Sequence, residues 1–409
     1  MRRQILKKQT FSAALIAAAL AAATPALALD ITPYGAIRVG TWYTGSTYYA
    51  YPTTVTATSP KRGTAQHDGD FTFDLQGDSL VGMRVKEGDF SAVAEVGAYN
   101  PKNRSAGVEL RLLFGEWDFG GGKVRAGYAP SPYVYRSEQA FDSDGGFNGY
   151  GSLWDGRMAQ IKVSANNGLY LALMKQGTGS SAGSGNDLIV VPGTTTGAAN
   201  GNNWNGTAFT NTATQYAAAS TNYDTFMPKT IVGYEGKSGI LTYGGGAAVN
   251  FFKVTSSAAD AVAYRDEIYS YLGFAHCRID LAPVEIKLNA YSGQNIGNLM
   301  SNPGAANGSL YFRNVAGDKA NAYTYGGWAQ LGYIMNQKVK AFAGASYESN
   351  DTRLTSADER MAAFANVQYA VNKNIKVVPE FSFLNDMTNR LGQKEPRVYA
   401  SGVKWEMTF

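Results

Sequence analysis

Apolar and polar residues alternate along most of this chain with a period of two, the spacing of a β-strand with one buried face. The segment 397–409 (RVYASGVKWEMTF) puts Tyr399, Val403, Trp405, Met407 and Phe409 on one face, opposite Ala400, Gly402, Lys404, Glu406 and Thr408. Earlier, Phe71, Phe73, Leu75, Val81, Met83 and Val85 oppose Asp74, Asp78, Arg84 and Lys86. A tight turn at Glu87-Gly88-Asp89 passes the apolar parity to Phe90, Ala92, Ala94, Val96 and Ala98. Val108, Leu110, Leu112 and Phe114 are expected to share the next face, and Val124, Ala126 and Tyr128 the one after Gly120-Gly121-Gly122. Further strands are predicted over 157–165, 169–175, 230–235, 240–253, 268–279, 284–292, 323–335, 338–347, 360–371 and 375–383. With an opening strand from Ile31, the total is about sixteen, and an even number is what a single-chain barrel requires.

The breaks come in two sizes. Short ones (165–168, 236–239, 282–283, 336–337, 372–374) alternate with long ones (44–69, 129–156, 176–229, 293–322, 384–396). A soluble sandwich has no reason to sort its loops this way. A transmembrane barrel does, with short periplasmic turns and long extracellular loops. The fold class is therefore all-β: a closed antiparallel transmembrane β-barrel.

Composition agrees. Beyond residue 30 no run nears the roughly 18 apolar residues of a membrane helix. Mean hydropathy is −0.22, with 12% aromatics, 47 Gly and 26 Tyr. Lumen-facing polar residues dilute the apolar ones in this way. One cysteine, Cys277, excludes a disulfide framework.

At the other end, Arg2, Arg3, Lys7 and Lys8 precede an apolar run from Phe11 to Ala23 and the small residues of Ala26-Leu27-Ala28. Residues 1–28 read as a secretory signal cleaved after Ala28, leaving one domain over 29–409. Those four cations account for the whole basic excess, because the remaining Lys and Arg balance 32 Asp and Glu. The sequence pI of 8.8 is thus no argument for a nucleic-acid partner. The segment 176–229 is rich in Gly, Asn, Thr, Ser and Ala and suits a long surface loop.

The opening run ITPYGAIRVG, the segment GKVRAG at 122–127 and the terminal Phe409 together resemble the Gram-negative general (trimeric) outer-membrane porins. Two departures stand out: Pro33 lacks a ladder donor, and Arg38 stands where that pattern often has an acid. The resemblance implies an outer-membrane location, a homotrimer, and lipid and lipopolysaccharide as surroundings. It implies that Trp405, Met407 and Phe409 mark the last strand for the barrel-assembly machinery. It also implies passive diffusion of small hydrophilic solutes and ions, and a loop after the fifth strand folded inward to narrow the pore.

That loop is 129–156, with Glu138, Asp142, Asp144 and Asp155 as its acids. Arg38, Arg84, Lys86, Arg111, Arg125 and Lys162 hold polar-face positions on nearby strands. Facing rows of opposite charge would set a transverse field at the constriction. Tyr133, Tyr135, Phe141, Phe147, Tyr150 and Trp154 also crowd the loop, either packing it on the wall or forming a stacking track for sugars. The alternatives to a general porin are a channel selective for sugars or organic acids, and a non-conducting structural or adhesive barrel.

An enzyme is not expected. The only histidines are His67 and His276; neither has an evident nucleophile, and no zinc spacing, P-loop or dinucleotide fingerprint occurs. No cofactor or metal is expected, although Asp68, Asp70 and Asp74 offer oxygen ligands of the kind Ca²⁺ takes.

Overall fold

The computed structural model describes residues 29–50, 64–99, 107–141, 146–154, 156–176, 200–204, 209–212, 222–255, 265–299, 312–313, 319–351, 356–389 and 392–409. The export signal predicted at 1–28, most of 176–229 and the loop acids Asp142, Asp144 and Asp155 lie outside them.

Sixteen strands close into an antiparallel barrel. They are β1 (Asp30–Ala50), β2 (two segments, Thr64–Leu75 and Leu80–Glu87), β3 (Phe90–Tyr99), β4 (Gly107–Asp118), β5 (Gly122–Pro130), β6 (Arg157–Ala165), β7 (Leu169–Met174) and β8 (Asn222–Thr225 and Lys229–Ser238). Then follow β9 (Leu241–Thr255), β10 (Arg265–Leu281), β11 (Val284–Gln294), β12 (Tyr323–Ile334), β13 (Val339–Asp351), β14 (Asp358–Ala370), β15 (Ile375–Thr388) and β16 (Arg397–Thr408). Two small ribbons, Asn200–Trp204 with Phe209–Thr212 and Phe312–Arg313 with Lys319–Ala320, stand outside the barrel sheet.

Closure joins β1 to β16, from Ala36 opposite Thr408 to Thr47 opposite Arg397. No strand edge is left open along this seam, as a membrane without competing water requires. Phe409 and Gly35 exchange two backbone hydrogen bonds of 3.0 and 3.1 Å at its lower end. Pro33 lies one pair further down, on the same edge of β1 and past the end of β16. Its missing N–H therefore costs the ladder nothing.

Outward residues form an apolar belt edged with aromatics. Phe90, Trp117, Phe119, Tyr333, Tyr369 and Trp405 are exposed near the short turns, and Tyr43, Phe71, Phe226, Tyr269, Tyr325 and Tyr399 near the long loops. Such girdles mark the two interfaces of a membrane-spanning barrel. Inward positions are largely polar, and the buried apolar clusters form where a loop packs against the inner wall.

The structure corrects three sequence readings. β1 and β2 extend well into the loop expected at 44–69, pairing from Val39 opposite Leu75 to Ala50 opposite Thr64. The Thr- and Tyr-rich run there favours a strand. β15 likewise runs on to Thr388, shortening the loop expected at 384–396. The third concerns β4, where Glu95 pairs with Leu112 and Val96 with Leu110, so Arg111 is an extra, bulged residue. Beyond it the parity changes: Leu113 and Trp117 are the outward residues, not Leu112 and Phe114. The cause is an ion pair. Arg111 turns inward, where its Nε meets Glu95 at 2.9 Å and its Nη1 meets the Gly77 carbonyl at 3.0 Å.

Candidate functional site: an inward loop on the lumen wall

Between β5 and β6, the described residues 131–141, 146–154 and 156 pack against the inner wall. Tyr133 comes first, fully buried against Phe274 of β10, with its hydroxyl donating to the Leu299 carbonyl at 3.2 Å. Tyr135 is stacked between His276 at 4.4 Å and Trp328 at 5.4 Å, and burial pushes its phenol up to about 12. Trp42 of β1 meets Phe141 edge-on at 5.2 Å. Phe147 packs on Trp328 and Phe364, fully buried, at a φ of 55°. A bulky residue tolerates that backbone only where its surroundings over-determine it. Here its N–H donates to Gln139 Oε1 at 2.6 Å.

A carboxylate of the far wall clamps the loop tip. Glu380 of β15 accepts from the backbone N–H groups of Ala140 (2.6 Å) and Phe141 (2.8 Å), from Asn366 Nδ2 (2.8 Å) and from Ser382 Oγ (2.8 Å). Four donors on one buried carboxylate make a strong, directional anchor. Gln76 Nε2 also donates to the Ala140 carbonyl, at 3.3 Å.

Glu138 is the one predicted loop acid among the described residues. Its Oε1 meets Lys287 Nζ of β11 at 2.8 Å, its Oε2 accepts from Gln368 of β14 at 3.0 Å, and its N–H donates to Gln330 of β12 at 2.7 Å. Burial alone would raise this carboxyl, but Lys287, with Gln368 and Lys376, outweighs it and holds the group below its ordinary value. Glu138 therefore answers the wall beneath the loop and is not brought to any of the six predicted wall cations.

Those cations all sit on the inner wall, each in its own local arrangement. Arg38 pairs with Glu406 at 2.5 Å and Asp78 at 3.4 Å, in a cluster that also holds Lys376 and Lys404. Arg111 pairs with Glu95. Arg125 contacts Glu116 through two nitrogens, at 3.1 and 2.9 Å, and Lys162 meets Glu235 at 3.6 Å. Three of the six also lie over aromatic rings: Arg84 over Tyr34 (4.2 Å), Arg125 over Phe114 (4.5 Å) and Lys162 over Tyr170 (4.2 Å). Among the described residues, neither Arg84 nor Lys86 has an ion-pair partner.

The remaining candidates are quickly placed. His67 Nδ1 lies 3.0 Å from Thr47 Oγ1 on the exposed rim, and His276 serves the Tyr135 stack. No metal-binding group of His, Cys, Asp or Glu occurs among the described residues, Asp68, Asp70 and Asp74 included. Cys277 is a partly exposed free thiol. The reading from sequence missed Glu380, Lys287, Gln330, Asn366 and Arg136, the last an exposed loop cation 5.1 Å from the Trp154 ring.

No protein-family model matches this sequence, and no curated protein matches it. Solved structures do. The outer membrane channel DcaP of Acinetobacter baumannii aligns over 93% of this chain and 97% of its own, with TM-score 0.59 and 12% identity. The chain has the fold of the Gram-negative outer-membrane porins. An anion-selective porin from Comamonas acidovorans aligns over 93% of this chain and 100% of its own (TM-score 0.52, 10% identity). The trimer form of OmpT, an outer membrane protein of Vibrio cholerae, covers the same shares (TM-score 0.50, 13% identity). Neighbours of this fold are outer-membrane proteins, and the apolar belt with its two aromatic girdles is the surface that location demands.

Proposed function

We propose that this chain forms a water-filled outer-membrane channel through which small hydrophilic solutes and ions diffuse passively, narrowed by the inward loop 131–156. The observation that carries this reading is the Glu380 clamp, which fixes the loop tip across the lumen from the strands that launch it. The loop aromatics favour a general channel over a sugar-selective one, because Tyr133, Phe147 and Trp154 are buried in packing and offer no stacking track. No catalysis belongs to this reading: the His67 contact with the Thr47 hydroxyl lies on the exposed rim, away from the inward loop, and His276 is held in the Tyr135 stack. Residues 1–28 act as a cleaved export signal, and the β16 face of Trp405, Met407 and Phe409 as the signal for barrel assembly among lipid and lipopolysaccharide. Homotrimerisation is supported by the fold shared with a trimeric neighbour.

The test is single-channel recording of the purified, folded protein in a planar bilayer, together with liposome swelling in sugars of graded size. Stepwise conductance in groups of three and a sharp size limit are expected. Folded protein that conducts nothing and admits no solute would overturn the proposal in favour of a structural barrel.

A further inference from the structure

Near the long-loop end, five ionisable side chains share one buried pocket. Glu348 (β13), Asp358 and Arg360 (β14), Asp386 (β15) and Glu395 (in the loop before β16) are each at least nine-tenths buried. Arg360 Nε lies 3.4 Å from Asp358 and 3.9 Å from Asp386, and Arg360 is the cross-strand partner of Glu348. From the constriction loop, the Tyr150 hydroxyl donates to Asp386. Glu348 accepts from Tyr291 of β11 and, at 3.0 Å, from Asn350.

Four carboxylates thus face one guanidinium. Three uncompensated charges in such a site are far too costly to bury, so protons or cations must be held there. Two oxygens, Asp358 Oδ1 and Glu395 Oε2, accept no hydrogen bond among the described residues. Glu395 is also the only member carried on a loop. That loop is tied down by the Glu395 N–H to the Met387 carbonyl at 3.2 Å and the Asp386 N–H to the Pro396 carbonyl at 3.0 Å. Lys394 and Arg397 flank Glu395 in the chain, with Lys394 bridged to Thr388. No metal-binding group of acids converges among the described residues.

We propose that Glu395 is a proton-binding latch, which in its neutral form holds the loop segment 392–396 down on β14 and β15 and, through Asp386 and Tyr150, steadies the constriction loop. Burial and then Asp358 raise Glu395 well above the ordinary carboxylate range, against the opposing pull of Arg360. A carboxyl raised in the latched state stabilises that state fully at acid pH and stops doing so as pH rises through the raised value. The latch is therefore held at acid pH and released as pH rises through that raised value.

The inference rests on loop 131–156 narrowing an open channel, and the recordings separate the two. A barrel that never conducts defeats the channel reading, whereas one that conducts with no pH response defeats only the latch. Purified full-length barrel is recorded from about pH 5 to about pH 10, a range spanning a raised carboxylate titration. Wild type should pass from quiet openings to noisy ones of larger mean current as pH rises. Glu395→Gln, a neutral isostere, should lose that transition and stay quiet throughout. A wild-type record flat across the range would overturn the proposal, as would a Glu395→Gln variant that keeps the transition. So would abolition of the alkaline noise by Ca²⁺ alone, which would put a cation where the proton is proposed.

Discussion

At the scale of single residues, the chemistry of the lumen wall is dominated by carboxylates doing structural tasks. Glu380→Ala would leave the Ala140 and Phe141 N–H groups without an acceptor, at a cost of about 2–4 kcal/mol for two buried donors. The loop tip would loosen, and larger, noisier single-channel currents are the expected outcome; unchanged currents would mean that packing alone holds the tip. Glu138 works in the opposite pH direction from Glu395. Its lowered pKa means that its bond to Lys287 stabilises the loop above the ordinary carboxylate range and is lost as pH falls through the folded value. Acid should therefore raise current noise in wild type, and Lys287→Met should show that noise already at neutral pH. Little of this was legible in the sequence. The inward parity of Glu380, Lys287, Gln330 and Asn366 is readable from the alternation, but their contacts with the loop, 149 to 240 positions apart in the chain, leave no local trace. The acids of the loop were conspicuous by type, yet the one described, Glu138, is bound to the wall beneath it.

At the scale of elements, the alternation carried strand order, count and most parities, because a barrel wall imposes one strict period over long stretches. It failed at β4. Leu110, Leu112 and Leu113 offer apolar residues on both parities, so nothing local marks the slip; only the Arg111–Glu95 ion pair, formed with a neighbouring strand, decides it. Thiol labelling checks the bulge directly. In a Cys277→Ser background, Leu113→Cys should react with a lipid-soluble maleimide and resist a membrane-impermeant one. Phe114→Cys should show the reverse. The pattern of an unbulged strand, with position 114 lipid-accessible, would refute the bulged register. Loop ends were the other weak point. The Thr- and Tyr-rich rim of β1 and the polar rim of β2 resemble loop composition, although paired they are strand.

At the scale of the whole molecule, net charge is silent, since the balance over residues 29–409 is zero, but its radial distribution is not. In several lumen ion pairs the acid lies deeper than the base. Arg278 is 42% exposed against 8% for Glu285, and Arg125 is 33% exposed against 17% for Glu116. Lys376 and Glu406 follow suit, while Lys162 with Glu235, Lys287 with Glu138 and Arg111 with Glu95 run the other way. Arg84 and Lys86 add exposed charge near the short-turn end, with no ion-pair partner among the described residues. At the pairs with the deeper acid, water in the proposed channel would meet the guanidinium or ammonium before the carboxylate, and Arg84 and Lys86 would add to that positive face. Mobile anions should accumulate in such a field. Under a salt gradient the reversal potential should carry the sign of anion preference. The preference should fade as ionic strength rises and the Debye length falls from about 10 Å at 0.1 M to about 3 Å at 1 M. The double change Arg84→Glu with Lys86→Glu should move the reversal potential toward cations without altering folding, because neither side chain neutralises a buried partner. Cation preference in wild type at low salt would instead assign control of the pore to the acids, and the depth ordering of the wall pairs would then have no bearing on permeation.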